Sequence, residues 1–133
     1  MCIQPDSHPD QGSLSAFVAC LVTMFLALGG LAFDGGRVIA GYVEIADVAE
    51  NAARAGSQMI VDIRSGNPQI DLSAARVQAE AVLRLSGVDG TVIASQELIE
   101  IQVRRNVSMK ILSLFGVGNR SISVARRATP VVG

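Results

Sequence analysis

The chain has 133 residues, half of them hydrophobic, with a low aromatic fraction of 4% and a formal net charge of −1. That length sets an expectation of one small domain, and a near-neutral charge gives no electrostatic case for a nucleic-acid partner. The two cysteines, Cys2 and Cys20, and the single histidine, His8, all lie in the first part of the chain. The remainder therefore has no disulfide staple, metal knuckle or redox pair, and neither a metal, a cofactor nor a catalytic constellation is expected.

Residues 1–12 are polar, carry Pro5 and Pro9, and read as a disordered leader or tail. From Ser13 to Phe33 there is then no charge and no proline. As a helix this run spans about 30 Å, the thickness of a bilayer's hydrocarbon core, and it is read as a transmembrane helix. The rival reading is a cleaved secretory signal, whose apolar core is about 7–15 residues behind a basic start. This run is longer, no Lys or Arg precedes it, and Phe33-Asp34-Gly35 is a poor cleavage site. Gly29-Gly30 offers either close packing against a neighbour or a place to bend. Asp34-Gly35-Gly36-Arg37 marks the exit from the apolar run; it is too short for a nucleotide fingerprint and no strand precedes it.

Helical periodicity continues beyond this exit. Val38, Tyr42, Ile45, Ala49, Ala52, Gly56, Met59 and Ile63 are alternately four and three residues apart and form one stripe. Its centre is small-sided, which lets a second backbone come close, so the stripe is the candidate helix-packing surface. Glu44, Asp47, Asn51, Arg54, Gln58 and Asp62 fall opposite it. Together the two halves predict one helix from about Ser13 to Arg64, ended by Ser65-Gly66-Asn67-Pro68.

A second helix is expected from a cap at Asp71 or Ser73 to about Leu85. Period-two patterning follows in 91–94, 98–104 and 121–126, with Ile99, Ile101, Val103, Ile122 and Val124 inward, as in antiparallel strands half buried against a helix. Met109 to Val117 (MKILSLFGV) is apolar with one Lys; a buried loop, a strand extension and a patch touching a membrane surface all fit it. From Glu97 onward six basic residues face two acidic ones, which reads as the solvated face of a small sheet. The fold class is α+β: a long N-terminal helix, a second helix and a small antiparallel sheet, with residues 34–133 as the domain that follows the span.

A greasy helix running into an amphipathic one ahead of a small αβ head is the plan of type IV pilin-like proteins. Gly12-Ser13-Leu14-Ser15, the apolar run, Asp34-Gly35-Gly36-Arg37 and the Ala-rich segment Ala46 to Gly56 resemble the TadE/TadG-like proteins of tight-adherence (Flp) pilus systems. The resemblance covers Gly12 to Thr129. It implies a minor pilin or pseudopilin, single-pass in the bacterial cytoplasmic (inner) membrane, with its head extracytoplasmic. The implied partners are the membrane, other pilin-like or Tad pilus assembly proteins in a hetero-oligomer, and a prepilin peptidase cutting between Gly12 and Ser13. Pilin-like proteins usually carry Glu five residues after the cut, where this chain has Phe17. Processing at Gly12 and an uncleaved anchor both stay open. The alternative is a single-pass membrane adaptor or scaffold outside any filament; a small membrane-anchored enzyme ranks far below both.

Overall fold

A computed structural model of the chain describes residues 10–66 and 68–130, with the side chains of 10–12 and 65 outside the description. Most of the polar leader therefore lies outside the described residues. Helix α1 (Asp10–Ser57) is continuous for 48 residues and is followed by short strands β1 (Ile60–Val61) and β2 (Gln69–Ile70) around a 3₁₀ turn at Ile63–Ser65. Helix α2 (Leu72–Leu85) leads into strands β3 (Gly90–Ala94), β4 (Ile99–Val107) and β5 (Arg120–Ala128), with a second 3₁₀ turn at Leu112–Phe115 between the last two. The α+β class expected from the patterning is the observed one.

The three long strands form an antiparallel sheet in the order β3-β4-β5, with Val92 opposite Ile101 and Val103 opposite Val124. The parity of β4 puts Ile99, Ile101 and Val103 on one fully buried face. That face meets Ile45, Ala49, Ala52 and Ala53 of α1 and Ala75, Ala79 and Leu83 of α2. The two helices lie over one side of the sheet, α1 across β4 and β5 and α2 across β3. Small side chains in both helices permit close approach. At Gly56 an added Cβ would overlap Ile99 Cδ1 and lie 3.1 Å from the Ala75 carbonyl oxygen.

The cap expected for α2 is present. Asp71 Oδ1 accepts from Ser73 N (2.9 Å), Ala74 N (3.1 Å) and the Ser73 hydroxyl (2.6 Å). Those bonds, that from the Ser73 hydroxyl foremost, hold the Asp71 carboxyl below its ordinary pKa.

Helix α1 differs from expectation at both ends. It begins at Asp10, so the Gly12–Ser13 bond lies in its first turn, and it stops at Ser57 instead of continuing to about residue 64. The low helix propensity of Gly56 is followed by the β-branched pair Ile60-Val61, which pairs with β2 as Ile60↔Ile70 and Val61↔Gln69. Asp62 then adopts a left-handed conformation (φ 59°), which no helix accommodates.

The heptad-like stripe is accordingly divided. Ile45, Ala49, Ala52 and Gly56 are buried, Val38 and Met59 are half-buried, and Tyr42 and Ile63 are exposed. Met59 and Ile63 lie beyond α1, Ile63 in the 3₁₀ turn. Its buried centre packs inside the chain's own head, against α2 and β4.

Gly56→Leu is expected to destabilise the head by about 3 kcal/mol through overpacking against Ile99 and α2. Gln58→Leu, at an exposed turn position, should change stability by less than about 0.5 kcal/mol. Denaturant unfolding of the two variants in the same detergent checks the contrast, and equal midpoints would count against close packing at Gly56.

Candidate functional site

At the junction between the apolar half of α1 and the head lies the most deeply buried charged side chain among the described residues. Asp34 is fully buried. Its Oδ1 accepts from the backbone N–H of Lys110 (2.9 Å), and its Oδ2 accepts from those of Ile111 (2.9 Å) and Leu112 (2.7 Å). These donors open the 3₁₀ turn Leu112–Phe115, so a carboxylate from α1 satisfies N–H groups that the turn itself cannot. Burial alone would raise the Asp34 pKa. The bonds from Leu112, Lys110 and Ile111, with the nearby Arg37 guanidinium, lower it by more, and the carboxyl sits below its ordinary value. Arg37 adds a second tie, donating from Nη1 to the Ser108 carbonyl oxygen at 3.0 Å.

One helical turn before Asp34, Gly30 supplies the space. An added Cβ there would lie 2.6 Å from Ile111 Cγ2, whereas one at Gly29 would meet nothing within 4 Å. Of the two readings of Gly29-Gly30, close packing is the observed use, against the chain's own turn. The turn ends at Gly116 with φ 84°, a conformation that favours glycine, where its N–H donates to the Ser113 carbonyl. Outward from it stand Leu114, Phe115 and Val117, at 82%, 54% and 43% exposure.

Between Leu14 and Phe33 the large apolar side chains of α1 are exposed, among them Phe17, Phe25 and Leu26. Among the described residues this one helix is long and apolar enough to cross a membrane. A core helix of a soluble protein would bury such a surface.

Comparison with family models, with curated proteins and with solved structures found no match to this chain. The local chemistry therefore has to carry the reading. Among the described residues no three His, Cys, Asp or Glu side chains are placed to hold a metal ion. The basic residues of the sheet largely meet carboxylates: Arg105 pairs with Glu44, Arg126 with Glu50 and Arg127 with Glu100. Glu44, expected opposite the stripe, and Glu50 thus reach round to the inward-parity arginines of β4 and β5.

The sequence-predicted residues do not converge on one site. Gly12 and Ser13 lie at the far end of α1, and the buried centre of the stripe belongs to the core. Asp34, read from the sequence as an exit marker, and Gly30, read as a close-packing point or a place to bend, hold the turn. A carboxylate immediately after a charge-free run needs donors, and that was the available signal. The donors are 76 to 78 residues away, and nothing local points to them.

Two outcomes test the junction. Gly30→Val should free the 110–117 turn at a cost of about 1–3 kcal/mol, while Gly29→Ala leaves it docked; amide exchange across 110–117 in micelles reads the difference. A carboxyl with a lowered folded pKa contributes stability above its unfolded value of about 3.9 and loses it as the pH falls through the folded value. The amide resonances of Lys110, Ile111 and Leu112 should therefore titrate together, with a midpoint below the ordinary carboxylate range. In Asp34→Asn they should not titrate.

Proposed function

We propose that the chain is a non-enzymatic, single-pass membrane subunit: a minor pilin-like (pseudopilin) component or assembly factor of a tight-adherence or type IV-like pilus or secretion apparatus. The observation that carries the membrane part is the continuity of α1. The same 48-residue helix is bare and apolar in its first half and forms the core of the head in its second. Retention of the apolar half, against loss as a signal peptide, is favoured by Gly30, which lies inside that half and receives Ile111 from the head. The pilin-like part rests on the resemblance of Gly12 to Thr129 to TadE/TadG-like proteins and on the shared plan of long helix, second helix and small sheet. On this reading the head lies outside the cytoplasmic membrane.

Phe17 favours a second reading, an accessory adaptor or scaffold that stays out of the filament. A carboxylate at that position would be costly in lipid unless paired, as with a neighbouring subunit's free N-terminus; Phe17 avoids the cost and offers no such pairing. If a prepilin-type peptidase acts, Gly12–Ser13 is the expected bond. It lies in helical backbone, and glycine is a residue at which a helix opens at low cost.

Intact-mass measurement of the protein from its own host membrane separates the two forms: a mature N-terminus at Ser13 supports a processed pilin-like subunit, and retention of residues 2–12 supports an uncleaved accessory protein. Deletion should abolish surface fibres if the pilus reading holds. A reporter fused after Gly133 that is active in the cytoplasm would overturn the orientation.

A further inference from the structure

We propose that the 110–117 turn is a second membrane contact, inserting Leu114 and Phe115 into the interfacial layer of the bilayer that α1 crosses. This rests on the reading of 13–33 as a membrane span.

The first argument is depth. Ile111 packs on Gly30, which lies within the apolar run and about 5 Å short of its end at Phe33 along the helix axis. Whatever depth the end of the span occupies, the turn occupies it too. Interfacial segments bury apolar side chains about 5–10 Å into the headgroup and acyl boundary. Leu114 at 82% and Phe115 at 54% exposure face outward at that level.

The second argument is backbone satisfaction. Irregular backbone enters apolar surroundings only when its polar groups are paired. In this turn the N–H groups of Lys110, Ile111 and Leu112 donate to Asp34. Those of Leu114, Gly116 and Val117 donate to the carbonyls of Ile111, Ser113 and Leu112, and the Ser113 hydroxyl donates to the Lys110 carbonyl. The buried carboxylate thus equips the turn for a dry environment that a solvent-exposed loop would not require.

The third argument is charge. Residues 108–119 contain Lys110 and no acidic residue, which suits the surface of a bilayer carrying anionic lipid.

The chain has no Trp, so single-Trp variants of the full-length protein report depth without background. Phe115→Trp, Phe25→Trp and Gln96→Trp would be reconstituted into phosphatidylcholine–phosphatidylglycerol vesicles. The lipids would be brominated either near the headgroup or deep in the acyl chain. The expected result is several-fold stronger quenching of Phe115→Trp by the shallow bromines than by the deep ones. Phe25→Trp should show the reverse order, and Gln96→Trp, in the β3–β4 loop, no quenching. If Phe25→Trp is quenched and Phe115→Trp is as silent as Gln96→Trp, the second contact is overturned and the span stands. A Phe115→Trp emission that is blue-shifted, unquenched by bromine and sensitive to the protein-to-lipid ratio assigns the turn to a second copy of the chain, which also overturns it. If Phe25→Trp is unquenched, the span reading itself fails and the proposal with it.

Discussion

The bonds from Lys110, Ile111 and Leu112 to Asp34 join segments 76 to 78 residues apart. They do so at the point where the surroundings of α1 change. Before Asp34 the helix has almost no protein around it; after Asp34 it becomes the core element of a two-layer head. A buried carboxylate with no partners would be expensive. Three N–H donors and a neighbouring guanidinium stabilise the charged form. The same bonds fix the turn against the helix, so the chain between β4 and β5 is tied down at the base of the head. Gly30 and Arg37, one turn to either side, act with it: one leaves room for Ile111 and the other holds the Ser108 carbonyl.

The head itself is built on smallness. Alanines of α1 and α2, with Gly56, bring two helices and a three-stranded sheet close together, and the larger fully buried apolar side chains are mostly the isoleucines and valine of β4 with Ile45. Close backbones increase dispersion contact per residue and leave little room for substitution. At its margins the helix–sheet interface carries Glu44–Arg105 and Glu50–Arg126. These pairs are partly exposed, so their contribution to stability is small. Their effect is to settle which residues flank the interface, and they neutralise much of the basic bias of the last third of the chain.

Much of this is legible in the sequence. The charge-free run, a cap at Asp71 or Ser73 and the alternation of Ile99, Ile101 and Val103 each follow from a local rule, and a helix, a cap at Asp71 and a buried strand face stand there. The end of α1 was not legible, because a seven-residue spacing that includes Met59 and Ile63 does not register Gly56, the β-branched Ile60-Val61 or the left-handed Asp62. The partner of the small-residue stripe was not legible either: small side chains announce a close backbone without saying whose. Here it is α2 of the same chain. The role of Asp34 needed the one thing that a linear pattern lacks, a contact between two distant segments, each of which reads as incomplete by itself.

That incompleteness bears on how the apolar half of α1 should be regarded. A detachable anchor would need nothing from the head, and the head nothing from it. In this chain the exchange runs both ways across Phe33: Ile111 reaches back to Gly30, and Asp34 and Arg37 hold the turn that carries Ile111. The 3₁₀ turn has few contacts beyond these, so its placement depends on the helix continuing past the head in ordered form. Ile111 and Asp34 therefore couple the exposed half of α1 to the β4–β5 connection, beside the direct packing of its second half on β4 and β5. The junction thus joins the exposed apolar half of α1 to the β4–β5 connection through side chains as well as through the helix itself.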